Sequence, residues 1–260
     1  MLRIILLERS EFMSNPTLRE EVFNTGLDGD GLGLNRAMTA SGTLLKTCFL
    51  AILVALTFAY TWWLQGAGFA DKAGILATVG AIGGFIMAMV VCFAPKNKFL
   101  SVTTSIYALF EGLFLGSISA IFNAAWPGVV FQAATGTILT VIVMYILYST
   151  GIIKATSTFY KVVLISTFAI AGVYLLQFVL TFFHLTIPGI FTNSLIGVIF
   201  TAVCVVIAAL NLILDFNFID NYSGHVPDYF EWYGGFSLMV TIVWLYIELL
   251  KLFAKLSSRR

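Results

Sequence analysis

Four acids near the C-terminus stand where few acids belong. Asp215 and Glu248 are flanked on both sides by apolar runs, while Asp220 and Glu231 lie in a more polar connection between those runs. A charge at bilayer depth costs roughly 2.5–3.5 kcal/mol on insertion scales, so such a residue faces a protein interior or a watery cavity and is a functional suspect by default. If the Asp215 and Glu248 carboxyls approach each other, they can share a proton at low pH and offer oxygen ligands to a cation such as calcium when ionised. Such a pair titrates as a unit. A further acid, Glu111, sits mid-way along another apolar stretch, YALFEGLFLG, where its neutral form can donate a hydrogen bond to a neighbouring helix. The bland alternatives are a boundary residue reaching water for Asp215, and for Glu248 a snorkelling residue one turn from Lys251.

The elements that must carry these acids follow from composition. The 260 residues are 60% hydrophobic and 10% charged, with a mean hydropathy of +0.97. That is more apolar surface than one soluble core hides, and the expected class is all-α, a polytopic membrane protein built as a bundle of seven transmembrane helices in the lipid bilayer. A net charge of +1 gives no basic face for nucleic acid. A span needs about 20 apolar residues to cross a core about 30 Å thick. Seven windows qualify, at about 43–64, 74–94, 100–122, 129–148, 160–183, 190–222 and 236–255. Glu248 falls about 18 Å into the seventh. A partner at that depth requires the sixth helix to run through Phe218 and Ile219 toward Tyr222, leaving residues 227–235 as an interfacial segment rich in Tyr and Trp.

Residues 1–42 read as a flexible cytoplasmic tail and residues 257–260 as a short basic C-terminus. The apolar run at 4–7 is too short for a signal-peptide core, so no cleavage is expected, and Met13 is an alternative start. LDGDGLGLN imitates a calcium loop through Asp28, Asp30 and Gly33, but Leu32 and Thr39 occupy ligand positions. Lys and Arg in the tail, Lys96, Lys98, Lys154 and Lys161 place the N-terminus inside, against Lys72 in the outside loops. Lys251, Lys255, Arg259 and Arg260 oppose that assignment, since seven crossings put them outside. Cys48, Cys92 and Cys204 read as buried thiols without metal-ligand spacing. Gly80 with Gly84 and Gly112 with Gly116 form GxxxG pairs, which read as close helix packing or, alternatively, a dimer face. No nucleophile triad, zinc motif or phosphate loop is present, so neither an enzyme nor a cofactor is expected.

Seven spans, LDFNFI in the sixth and LYIELLKLF in the seventh together resemble the Bax inhibitor-1 (transmembrane Bax inhibitor motif) family, and LFEGLFLGSIS in the third looks like its bacterial branch. The resemblance implies a calcium-permeable, pH-sensitive leak channel of a cell (inner) membrane, with protons and calcium as its ligands. The proton-sensing roles carry to Asp215 and Glu248, which would also be the transient calcium ligands. The chain departs from the pattern in having Glu at the second position, a longer connection between the acids, and no arginine in the second span to latch the sixth-span aspartate. Some bacterial relatives instead bind and modulate a membrane protease, which implies a regulator without a pore. If the main pair fails, Glu111 and Glu231 are the next partners for Asp215, with Asp220 beside them.

Overall fold

The computed structural model describes residues 37–93 and 99–259. Among them seven helices are long and apolar enough to cross a membrane. They are α1 (Ala40–Gly66), α2 (Ala70–Phe93), α3 (Leu100–Ala125), α4 (Val129–Ser149), α5 (Ser157–Thr181), α6 (Leu195–Tyr222) and α7 (Phe230–Ser257). The described residues contain no strand, their one bridge being the isolated pair Ala37 and Pro227. This is a multi-pass membrane protein, all-α as the composition requires. Large apolar side chains such as Ile52, Phe85, Phe131 and Leu175 point outward, where water would penalise them and lipid does not. The tail residues 1–36, the calcium-loop imitation within them, and Pro95, Lys96 and Lys98 lie outside the described residues.

Local chemistry sets the helix ends. Thr39 caps α1 by accepting the Gly42 N–H, and Thr156 caps α5 by accepting that of Phe159. The sixth helix starts at Leu195 and not near 190, because Gly189 takes a positive φ of 82° and the Ser194 hydroxyl accepts the Gly197 N–H at 3.1 Å. The seventh starts at Phe230, six residues before the expected limit. A turn from Pro227 leads into it, the Phe230 N–H donating to the Pro227 carbonyl at 3.1 Å, and its first turn holds Glu231, an acid favoured at a helix N-terminus. Residues 230–235, expected as an interfacial segment, are therefore helix. At 28 residues α6 and α7 are each about 42 Å long, more than a hydrocarbon core requires. Hydroxyls within the spans bond back to the preceding turn, as Thr47, Thr104 and Thr201 do at 2.9, 2.8 and 2.8 Å, so they leave no polar group bare to lipid.

The chain forms two compact units, and α6 and α7 contribute residues to both. The first holds residues 37–130 and 218–240. Within it α3 packs on both α1 and α2 through glycines. A Cβ at Gly112 would strike Val54 and Thr57, and one at Gly116 would strike Phe58 and Thr61 of α1. On α2, a Cβ at Gly80 would come within 2.6 Å of the Phe110 carbonyl oxygen. The glycine faces are thus occupied by helices of the same chain. The second unit holds residues 131–217 and 241–259. Its core groups Ile170, Cys204 and Ile207, with Tyr174, Phe200, Leu210 and Trp244 packed against them. Of the cysteines, Cys92 and Cys204 are buried, whereas Cys48 is exposed on α1 and departs from the expected burial.

Candidate functional site

In the second unit, α7 presents Trp244, Glu248, Lys251 and Lys255 at intervals of four, three and four residues, so all four lie on one helix face. Glu248 is 1% exposed, yet it is richly partnered. The Tyr174 hydroxyl of α5 lies 2.9 Å from its Oε1 and 3.0 Å from its Oε2. Trp244 Nε1 donates to Oε1 at 3.2 Å, and Lys251 Nζ donates to Oε1 at 2.7 Å and to the Tyr174 oxygen at 2.7 Å. Lys251 also lies 4.3 Å from the centre of the Tyr174 ring. A buried carboxylate survives only with such a shell, because desolvation otherwise outweighs the Coulombic gain. Lys251, with 27% of its side chain exposed, links this cluster to the surroundings.

One turn beyond, Lys255 Nζ donates to the Gly197 carbonyl at 2.9 Å, the Thr201 hydroxyl at 2.9 Å and the Ile190 carbonyl at 3.1 Å. Those oxygens belong to the start of α6 and the loop before it. Two members of the C-terminal basic cluster are thus held by partners within the unit.

Asp215 is fully buried, at 0% exposure, in the same unit. Around it on α6, Asn211 donates to Thr167 at 2.9 Å and Asn217 to Tyr160 at 2.9 Å, so polar contacts with α5 repeat along this stretch. The expected approach of Asp215 to Glu248 does not match the geometry. Glu248 is bonded to Tyr174 and Trp244, which pack against the cluster of Ile170, Cys204 and Ile207, and Tyr174 and Glu248 both lie near Cys204. Asp215 is eleven residues from Cys204 on α6, about 16 Å along the axis. The reason is the early start of α7, which carries Glu248 eighteen residues into that helix, whereas Asp215 stands seven residues from the end of α6. The two carboxyls occupy different levels of the unit. Among the described residues no three His, Cys, Asp or Glu side chains converge as a metal site.

The remaining acids lie in the first unit. Glu231, placed by sequence in a connection, is buried in the first turn of α7 and accepts the Thr39 N–H at 3.0 Å and the Thr39 hydroxyl at 2.9 Å. Thr39 and Gly42 form half of a capping box, whose usual second half is an acid at the third helical position reaching back to the cap N–H. Here that position is Gly42. A Cβ there would run into the Glu231 carboxylate, so Glu231 supplies the missing acid from another helix. Glu111 hydrogen-bonds Tyr107 one turn before it, and its Oε2 lies 3.2 Å from where a Gly84 Cβ would stand. Asp220 is exposed near the end of α6.

A family model described as Bax inhibitor 1 like matches residues 9–258. The chain belongs to that family. No curated protein matches it. The acid-bearing spans are legible in the sequence, and the partners of those acids within this chain are less so. Tyr174 looks like any aromatic of an apolar span. The face shared by Trp244, Glu248, Lys251 and Lys255 was readable as spacing, yet the two lysines were counted toward topology.

Proposed function

We propose that this Bax inhibitor 1-like protein is a pH-sensitive, calcium-permeable leak pathway in which Asp215 and Glu248 act as two separate carboxylate stations at different depths. The observation that carries this reading is the burial of both acids within one unit, at 0% and 1% exposure. Burial on that scale has a standing cost, which a merely structural position would avoid with an apolar residue. The reading replaces a proton shared between the two acids with two separate carboxylates along one route. Calcium is the favoured cargo because a hard cation prefers carboxylate and carbonyl oxygen.

The N-terminal tail is assigned to the cytoplasmic side of a cell membrane. Its support is the Lys and Arg bias, strengthened because Lys251 and Lys255 are engaged with Glu248 and with the oxygens of Ile190, Gly197 and Thr201. A second reading, a poreless regulator of a membrane protease or other membrane protein, draws support from the saturated shell of Glu248, which suits a fixed strut as well as a station on an ion route.

Calcium flux into proteoliposomes at two pH values separates the readings. Asp215→Asn is expected to flatten the pH dependence while leaving the fold intact. Flux equal to that of protein-free liposomes for the unaltered chain would sink the leak reading and favour the regulator.

A further inference from the structure

The loop between α5 and α6, residues 182–194, ends its path over the Glu248 cluster. Phe191 sets its ring edge-on to Tyr174, with centroids 5.7 Å apart, and also faces Phe200 at 6.3 Å. Tyr174 is the residue whose hydroxyl straddles Glu248. Glu248 is nine residues from the end of α7, about 13 Å, and Tyr174 seven from the end of α5, about 10 Å. The ends of α5 and α7 and the start of α6 meet at this loop, so Phe191 caps the short way in.

Side-chain pins hold the loop at three places. Lys255 binds the Ile190 carbonyl, directly before Phe191. The Asn193 amide donates to the Ser258 hydroxyl at 2.7 Å. Gln177 of α5 accepts the Ile187 N–H at 2.9 Å and lies 3.4 Å from the Leu185 carbonyl. Around these pins the loop is weakly buried, with Leu185, Thr192 and Asn193 exposed. Beyond short-range turn bonds, the segment is held by these side-chain bonds and by the ring contacts of Phe182 and Phe191, which puts it at the low-stability end of a fold, where local opening occurs.

We infer that this loop is an access gate for the Glu248 station, with Phe191 as its plug and Lys255 as its principal pin. The inference rests on the reading of Glu248 as a functional carboxylate. Closed, the loop keeps water and ions from the Glu248 carboxylate and from Cys204 behind Tyr174, while Lys251 stays partly exposed at the rim. Opened, it admits them from the end of the unit where α7 finishes.

Cys204 supplies a reporter, since it is buried at 0% and packs with Tyr174 behind the plug. The full chain carrying Cys48→Ser and Cys92→Ala, reconstituted in liposomes, keeps Cys204 as its one thiol. Its modification by a charged methanethiosulfonate, which travels by water and not lipid, is followed by mass spectrometry. Phe191→Ala and Lys255→Met are each expected to raise the rate about tenfold, the factor that about 1.4 kcal/mol of lost closed state gives. Phe168→Ala, at an outward-facing position of α5 far from the loop, is expected to leave it unchanged. Should Phe191→Ala not fold, Phe191→Leu retains apolar volume and reports the same direction. Unchanged rates in the plug and pin variants, or an equal rise in Phe168→Ala, would overturn the gate. The readout requires no conduction, so an absence of calcium flux would defeat the leak reading and leave this result standing.

Discussion

Tyr174 and Glu248 meet through one hydroxyl set 2.9 Å and 3.0 Å from the two carboxylate oxygens. A phenol has a single proton to give, so it serves both oxygens by sharing. Its own oxygen accepts from Lys251 at 2.7 Å, closing a triangle of tyrosine, acid and ammonium. The triangle ties α5 to α7 and keeps a charged acid tolerable at depth.

Breaking the triangle at its cation has a definite cost. Lys251→Met leaves Glu248 buried without its counter-charge and is expected to destabilise the protein by about 3 kcal/mol. Adding Glu248→Gln should restore most of that loss, because the neutral amide needs no cation. Unfolding midpoints in detergent measure both. A double variant as unstable as Lys251→Met alone would contradict the role given to the pair.

The tyrosine tests the remaining side. Tyr174→Phe keeps the ring contacts with Phe191 and Phe200 but removes a donor to the buried carboxylate. The expected loss is about 1–3 kcal/mol. If Tyr174→Phe also speeds Cys204 labelling as much as Phe191→Ala does, the hydroxyl and not the plug keeps the route closed.

Helix number and the acid-bearing spans were legible because lipid imposes a length and an apolar composition on every crossing. Depth was harder. Whether Tyr229 to Gly235 is interface or helix depends on the turn that starts at Pro227, and a six-residue change there moved Glu248 away from the level of Asp215. Partners distant in sequence left no pattern. Thr39 and Glu231 are 192 positions apart, and Tyr174 and Glu248 are 74 apart. The role of Lys255 was hidden for a physical reason: a topology count treats every lysine as solvated, whereas this one is engaged with two carbonyls and the Thr201 hydroxyl.

The glycine faces give a paired prediction. Gly112→Ala would press a methyl onto the Val54 backbone and Thr57, while Gly172 on α5 has nothing within 4 Å of its would-be Cβ. Overpacking costs about 1–3 kcal/mol, and replacing an unobstructed helical glycine recovers about 0.5–1 kcal/mol. Gly112→Ala should therefore lower the unfolding midpoint and Gly172→Ala should hold or raise it. Equal effects would show that α1 and α3 do not approach as closely as these contacts require.

The cap that Glu231 supplies to α1 makes a prediction whose sign reverses. In the unaltered chain, Gly42→Ala drives a methyl into the Glu231 carboxylate, displacing the acceptor of the Thr39 N–H and hydroxyl. The expected loss is about 1–3 kcal/mol, the range for overpacking a filled site. Glu231→Ala alone should cost about 1 kcal/mol or more, since a cap N–H loses its partner. In that background the space beside Gly42 is vacant, and alanine is the better helix former by about 0.5–1 kcal/mol. Gly42→Ala should then be neutral or stabilising. A double-mutant cycle on unfolding free energies in detergent reads the difference directly. The same penalty for Gly42→Ala in both backgrounds would mean that Gly42 is required by something other than the Glu231 carboxylate, and that α1 is not capped from α7.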